Sequence, residues 1–257
     1  QASMRRLRLL SSHTTHPMSA SRVCVVVGLG GGGIGDAVAR RFSKEGYHVA
    51  LLARTPQTIQ ALETQIPNSK AFPCDAGNSE QVHSTVSKIV EQMGRIDVLI
   101  YNAGVGMFKN FASTSEQEFE LCWRSGPAGL FSFAKAVVPL FEEQRSGVIG
   151  VTGATASWRG MPATPAFAPS KFALRSLAQS LCRELGPKGI HVFHVVIDGL
   201  VFMEKTRAWM PDKPEAEFMQ PDQIADTYWH MTNQHPSAWT FEANLISAPV
   251  MGGMLTV

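Results

Sequence analysis

The chain has 257 residues, of which 44% are apolar and 17% charged, the balance of one folded domain with a sizeable core. Its formal net charge of +2 gives no reason to expect nucleic acid as a partner. No apolar run reaches the roughly 18 residues of a membrane-spanning helix, so no span is predicted.

Residues 1–22 carry Arg5, Arg6, Arg8 and Arg22, several serines and threonines, and no acidic residue. That is the composition of a transit peptide, which predicts a mitochondrial address, with plastid and cytoplasm as alternatives. A disordered leader is the other reading of the same stretch. The predicted division is a basic extension over 1–22 and a folded domain over 23–257.

From residue 23 onward, apolar strand-like runs alternate with helix-period segments. Strands are predicted near 23–28, 48–53, 70–74, 97–101, 147–152, 190–197 and 239–246. Helices are predicted near 34–46, 57–65, 79–93, 115–143, 168–185 and 221–234. This alternation predicts an α/β class: a doubly wound parallel sheet between two helical layers, three layers in a single domain. Residues 200–220, with Met203, Trp209, Met210 and Met219, read as an irregular excursion. It either covers a ligand or packs on its own side chains as a surface loop. Cys24, Cys74, Cys122 and Cys182 are far apart and include no Cys-x-x-Cys pair, so they read as small buried residues.

Four motifs stand out in order. The first is the glycine-rich turn from Gly28 through Gly33-Ile34-Gly35, placed between an apolar run and an amphipathic segment. The second is Asn102-Ala103-Gly104, the third Phe167-Ala168-Pro169-Ser170-Lys171, and the fourth Glu184-Leu185-Gly186-Pro187-Lys188-Gly189-Ile190. Together they resemble the short-chain dehydrogenase/reductase family from Val23 to about Leu245, which implies a Rossmann-type sheet and a nicotinamide dinucleotide cofactor.

A strand feeding a glycine-rich turn and a helix start is an anion site, because free backbone N–H groups and the helix dipole face the pyrophosphate. Gly28, Gly30, Gly33, Ile34 and Gly35 are the candidates, although counting from Gly28 makes the loop one residue longer than the family's. A ligand-free glycine turn is the alternative. At the end of the second strand Arg54 stands where an NAD-binding protein has a carboxylate. Its guanidinium suits a 2′-phosphate and so favours NADP(H), unless Arg54 is only a solvated surface charge. The resemblance further places Asp75 at the adenine, Asn102, Ala103 and Gly104 along the adenosine ribose, and Lys171 at the nicotinamide ribose.

The same resemblance implies a catalytic tyrosine, serine, asparagine and lysine. Lys171 is retained, whereas Phe167, Ala154 and Gly126 stand at the tyrosine, serine and asparagine positions. Thr155 and Ser157 neighbour the serine position, but a one-residue shift at a strand end is expected to turn a hydroxyl elsewhere. Asp198, before Gly199, is either an acid near the nicotinamide or a cap of the next turn. Tyr228 is read as core or subunit contact. His191, His194, His230 and His235 are too scattered for a metal site, and none is expected.

The favoured reading is an NADP(H)-binding protein with a degenerate active site, an accessory or structural subunit of an organellar assembly with little ordinary dehydrogenase activity. An active NADPH-dependent reductase is the alternative, its proton supplied by Lys171, Thr155 or the substrate. A redox sensor is the third possibility. Expected partners are the cofactor and either a second copy, by resemblance, or subunits of a larger complex.

Overall fold

The computed structural model describes residues 21–250, so all but the last two residues of the basic 1–22 extension lie outside the described residues. Seven strands form one sheet: β1 Val23–Val27, β2 His48–Ala53, β3 Ser69–Pro73, β4 Val98–Tyr101, β5 Gly147–Thr152, β6 Ile190–Asp198 and β7 Glu242–Ile246. Their order is β3-β2-β1-β4-β5-β6-β7, and every neighbouring pair is parallel. β1, β4 and β6 are buried on both faces, as a parallel sheet between helices requires.

Two apolar clusters sit on opposite faces of the sheet. One holds Ala37, Val38 and Phe42 of α1 (Ile34–Lys44), Ile59 and Leu62 of α2 (Pro56–Gln65), and Ile224, Tyr228 and Met231 of α8 (Pro221–Thr232). The other holds Val82, Val86 and Ile89 of α3 (Ser79–Met93), Phe133 and Phe141 of α5 (Gly129–Gln144), and Leu174 and Ala178 of α6 (Phe167–Leu185). The result is the three-layer, Rossmann-type α/β domain expected from the alternation of patterns. Among the described residues no helix is long and apolar enough to cross a membrane.

Three predicted elements need correction. The single helix near 115–143 is two, α4 (Glu116–Trp123) and α5, joined by a π-type turn over Arg124–Ala128. Gly126 leaves helical geometry there (φ −94°, ψ −109°), and Pro127 has no N–H to continue the ladder. The Tyr101 hydroxyl donates to the Ser125 carbonyl at 2.7 Å within this break. The 200–220 excursion is not wholly irregular, since α7 spans Glu204–Trp209 and Val201 bridges to Met219. The last strand begins at Glu242 rather than near 239, because Trp239 leaves the strand path to stack on His191, with ring centroids 4.7 Å apart.

The register brings Val27, Leu52, Tyr101, Thr152 and Asp198 to one edge of the sheet. The chain turns from β1 to β2 on one side and from β4 to β5 on the other. A crevice therefore opens at the carboxyl ends of β1 and β4, the place where such sheets bind ligands.

Candidate active site and dinucleotide groove

A groove of about 790 Å³ opens along that edge. Its floor begins at Gly28, whose φ of +92° excludes ordinary side chains; a Cβ there would lie 2.6 Å from the Ala103 backbone. Gly35 is as confined, because its Cβ would meet the Gly28 carbonyl oxygen at 2.3 Å. The Asn102 side chain ties the two strand ends by donating to the Gly28 carbonyl at 2.7 Å. Ala103 and Gly104 continue the wall of the groove, and their small size keeps it open.

The loop itself carries a residue that sequence reasoning missed. Asp36, only 2% exposed, accepts hydrogen bonds from the Gly30 and Gly32 amides at 2.6 and 2.8 Å. The Gly30 amide is thus held by Asp36 and is not free for a phosphate. Gly30, Gly31 and Gly32 all have positive φ, so the extra length is absorbed as a glycine arch over Asp36. The signal was present in the sequence as an acidic residue in the first turn of the helix, where it complements the free amides. Gly33 caps that helix without a side chain, and the Ile34 and Gly35 amides, in its first turn, have no partner inside it.

Arg54 follows β2 and is exposed on the groove; among the described residues no carboxylate pairs with it. Asp75 also lines the groove, with one oxygen 3.0 Å from the Gly77 amide. Unpartnered first-turn amides, a cation at the β2 end and a carboxylate after β3 are together a set that fits a phosphorylated dinucleotide.

A second cavity, of about 610 Å³, adjoins the groove and shares Ile34, Asn102, Gly104, Val201, Met203 and Lys205 with it. The excursion forms its outer wall, with Met203 also lying over Gly33. Its apolar side is aromatic: the Phe108 ring lies 5.5 Å from Phe167 and 6.1 Å from Trp209. Lys171 is one turn after Phe167 on α6, with its ammonium 5.8 Å from the Phe167 ring centre. It is buried, donates to the Thr152 carbonyl at 2.8 Å, and burial lowers its pKa to about 8.

Ala154 and Thr155 line this cavity in a short turn after β5. Contrary to the sequence expectation, the Thr155 hydroxyl is not lost from the site. It donates at 2.5 Å to Asp198, which is 3% exposed and lies 3.9 Å from an Arg159 nitrogen. The tight turn re-aims the hydroxyl, so the strand alternation behind the expectation ends at Thr152. The Ser157 hydroxyl accepts from the Ala154 amide at 3.1 Å and is fully buried, so it serves the turn. Arg159 was missed because only the fold brings it to Asp198.

Gly126 lies off the cavity against α6. A Cβ at this position would meet the Ser170 hydroxyl at 2.2 Å, and that hydroxyl is already held by the Cys122 carbonyl at 2.7 Å. No side chain fits at 126 unless Ser170 moves. Tyr228 is buried in the core with its hydroxyl 2.7 Å from Thr152, and burial raises its pKa. His194 is fully buried and paired with Glu242 at 2.9 Å, while Arg175 grips the same carboxylate with two bonds of 2.7 and 2.8 Å. That trio ties β7 to α6 and β6. Arg175→Met is expected to destabilise the protein by roughly 2–4 kcal/mol, because it leaves a half-buried carboxylate with one partner; urea denaturation checks this.

A parallel sheet with this order, a glycine-lined switch point and a lysine one turn into the sixth helix define a Rossmann-type oxidoreductase class. Residues 22–209 match the short chain dehydrogenase family, and the chain belongs to it. A 3alpha-hydroxysteroid dehydrogenase of Mediterraneibacter gnavus is 29% identical over 241 residues, covering 88% of this chain and 95% of the relative. Among solved structures, a short-chain dehydrogenase of Rhodopseudomonas palustris is 30% identical with a TM-score of 0.74, covering 88% of this chain and 98% of its own. An alcohol dehydrogenase of the archaeon Thermococcus sibiricus, solved with 5-hydroxy-NADP, is 25% identical with a TM-score of 0.79, covering 89% and 97%.

Proposed function

We propose that this short-chain dehydrogenase-like oxidoreductase binds NADP(H) and moves its substrate's proton without a tyrosine. The observation that carries the reading is Arg54 opening onto a groove that runs into a second, aromatic-walled cavity. A guanidinium at the β2 end recognises a 2′-phosphate and gives a ribose hydroxyl no acceptor. The Thermococcus sibiricus neighbour, solved with an NADP derivative, supports the same choice. If bound, such a cofactor would supply hydride transfer, and Lys171, which lines the second cavity, would hold its nicotinamide ribose.

Phe167, Ala154 and Gly126 stand where the family's tyrosine, serine and asparagine are expected, so the ordinary phenol-driven reaction has lost its donors. Crowding at Gly126 supports this, because an asparagine does not fit there beside Ser170. The degenerate-site reading therefore concerns the usual acid and not the whole cavity.

A fluorescence titration with NADPH, and with NADH as control, tests the cofactor. NADPH is expected to bind more tightly, and Arg54→Ala to weaken it by about 10- to 100-fold while changing NADH little. Equal affinity for the two, or no effect of the substitution, would remove the 2′-phosphate assignment.

A second reading, a subunit whose surface matters more than its chemistry, is favoured by exposed apolar residues. Phe119, Leu121 and Trp123 on α4, Phe131 on α5 and Phe172 on α6 are each at least 40% exposed. Such side chains on neighbouring helices suit self-association or docking to another subunit. Light scattering of the purified chain separates an assembly of copies from a monomer awaiting a partner.

A further inference from the structure

We propose that Thr155 and Asp198 are the proton-transfer pair of this cavity, and that its substrate is a secondary alcohol with a ring-sized apolar body. The inference rests on the oxidoreductase reading above. Three hydroxyls line the cavity among the described residues, those of Thr155, Thr164 and Thr206. Thr164 donates to the Met161 carbonyl and Thr206 to the Val201 carbonyl. A backbone carbonyl cannot take up a proton at ordinary pH. Thr155 alone donates to a group that can, the Asp198 carboxylate at 2.5 Å.

An Asp before Gly ordinarily caps the next turn, yet the side-chain partners of Asp198 among the described residues are Thr155 and Arg159. A buried carboxylate is retained at a cost unless its charge is used, and one cation at 3.9 Å offsets only part of that cost. Because Thr155 gives its hydrogen to Asp198, its oxygen lone pairs are left for a donor in the cavity. That donor is a hydroxyl. The Phe108, Phe167 and Trp209 rings opposite provide an apolar, aromatic surface for the rest of the molecule.

In the oxidation, the alcohol O–H bond breaks as its proton passes to the Thr155 oxygen, and the Thr155 proton passes to Asp198. The carbinol C–H bond breaks, its hydrogen and two electrons go to an oxidised nicotinamide dinucleotide, and the C=O double bond forms. Asp198, left as the carboxylic acid, returns its proton to solvent once the ketone leaves. Reduction of a ketone runs through the same positions in reverse. Thr155 touches the substrate; Asp198 acts through Thr155.

The test uses 1-indanol and cyclohexanol as probes, with NADP+ for turnover and isothermal titration calorimetry, without cofactor, for binding. Thr155→Val is expected to weaken 1-indanol binding roughly tenfold and to cut kcat about 100-fold or more. Thr155→Ser restores both. Asp198→Asn holds the threonine hydroxyl without accepting its proton, so kcat falls by a similar factor while 1-indanol affinity changes less than about threefold. Unchanged kcat and affinity in both variants overturn the proposal. It is also overturned if the wild-type protein neither binds nor oxidises either probe. In each case the NADPH titration decides separately whether the cofactor reading stands.

Discussion

Lys171→Met is expected to make the protein more stable at pH 7 by about 2 kcal/mol, and no more stable at pH 11. The Lys171 ammonium is buried and its pKa is lowered from 10.5 to about 8 by loss of hydration. In the unfolded chain the same group holds its proton up to about pH 10.4. The folded state therefore binds that proton more weakly than the unfolded state does. Stability is fully present above the unfolded pKa and falls as pH drops toward 8, where the loss reaches about 3 kcal/mol and stays constant below. Methionine fills similar space with no charge, and the lost hydrogen bond to the Thr152 carbonyl returns about 1 kcal/mol of the gain. Urea denaturation of both proteins at pH 7 and pH 11 measures the difference. Equal stability at pH 7 would mean that the lysine is hydrated or paired in solution. The same substitution is expected to weaken NADPH binding, because a buried unpaired ammonium is kept where function uses it.

How much of this was legible from the sequence follows from the physical range of each signal. The strands and most helices were readable because apolar runs such as Val23–Val27 and the faces of α1 and α3 carry their periodicity locally. The break between α4 and α5 was missed although Gly126-Pro127 spells it, since the flanking helical patterns run on in phase. The groove residues lie next to strand ends, so locating the strands located Arg54, Asp75 and Asn102 as well. The polar trio of the cavity was harder. Thr155 and Arg159 follow β5 whereas Asp198 ends β6, a long helix later in the chain, and only the pairing of β5 with β6 brings them together. Asp36 needed the arch of three positive-φ glycines, a backbone feature that residue types permit but do not dictate.

Joint substitution Phe167→Tyr and Ala154→Ser carries the largest expected effect, a rise of at least about 100-fold in reduction of 1-indanone by NADPH. Phe167 lines the cavity and its ring lies near Lys171, so a phenol hydroxyl enters open space beside a cation. The nearby ammonium favours the phenolate and so lowers the phenol's pKa toward the working range. Ala154 lines the same cavity, and serine there adds a donor for the developing alkoxide. Gly126 is left alone, because a side chain at 126 would displace Ser170 from the Cys122 carbonyl. The gain is read against NADPH affinity measured on the same samples, since a rate change that follows affinity reports the groove instead. An intact groove with no gain would mean that the substrate oxygen sits on the Thr155 side, out of reach of residue 167. A gain that persists when Thr155→Val is added would show the phenol acting by itself. A gain that disappears would show that the phenol works only through an oxygen already held by Thr155.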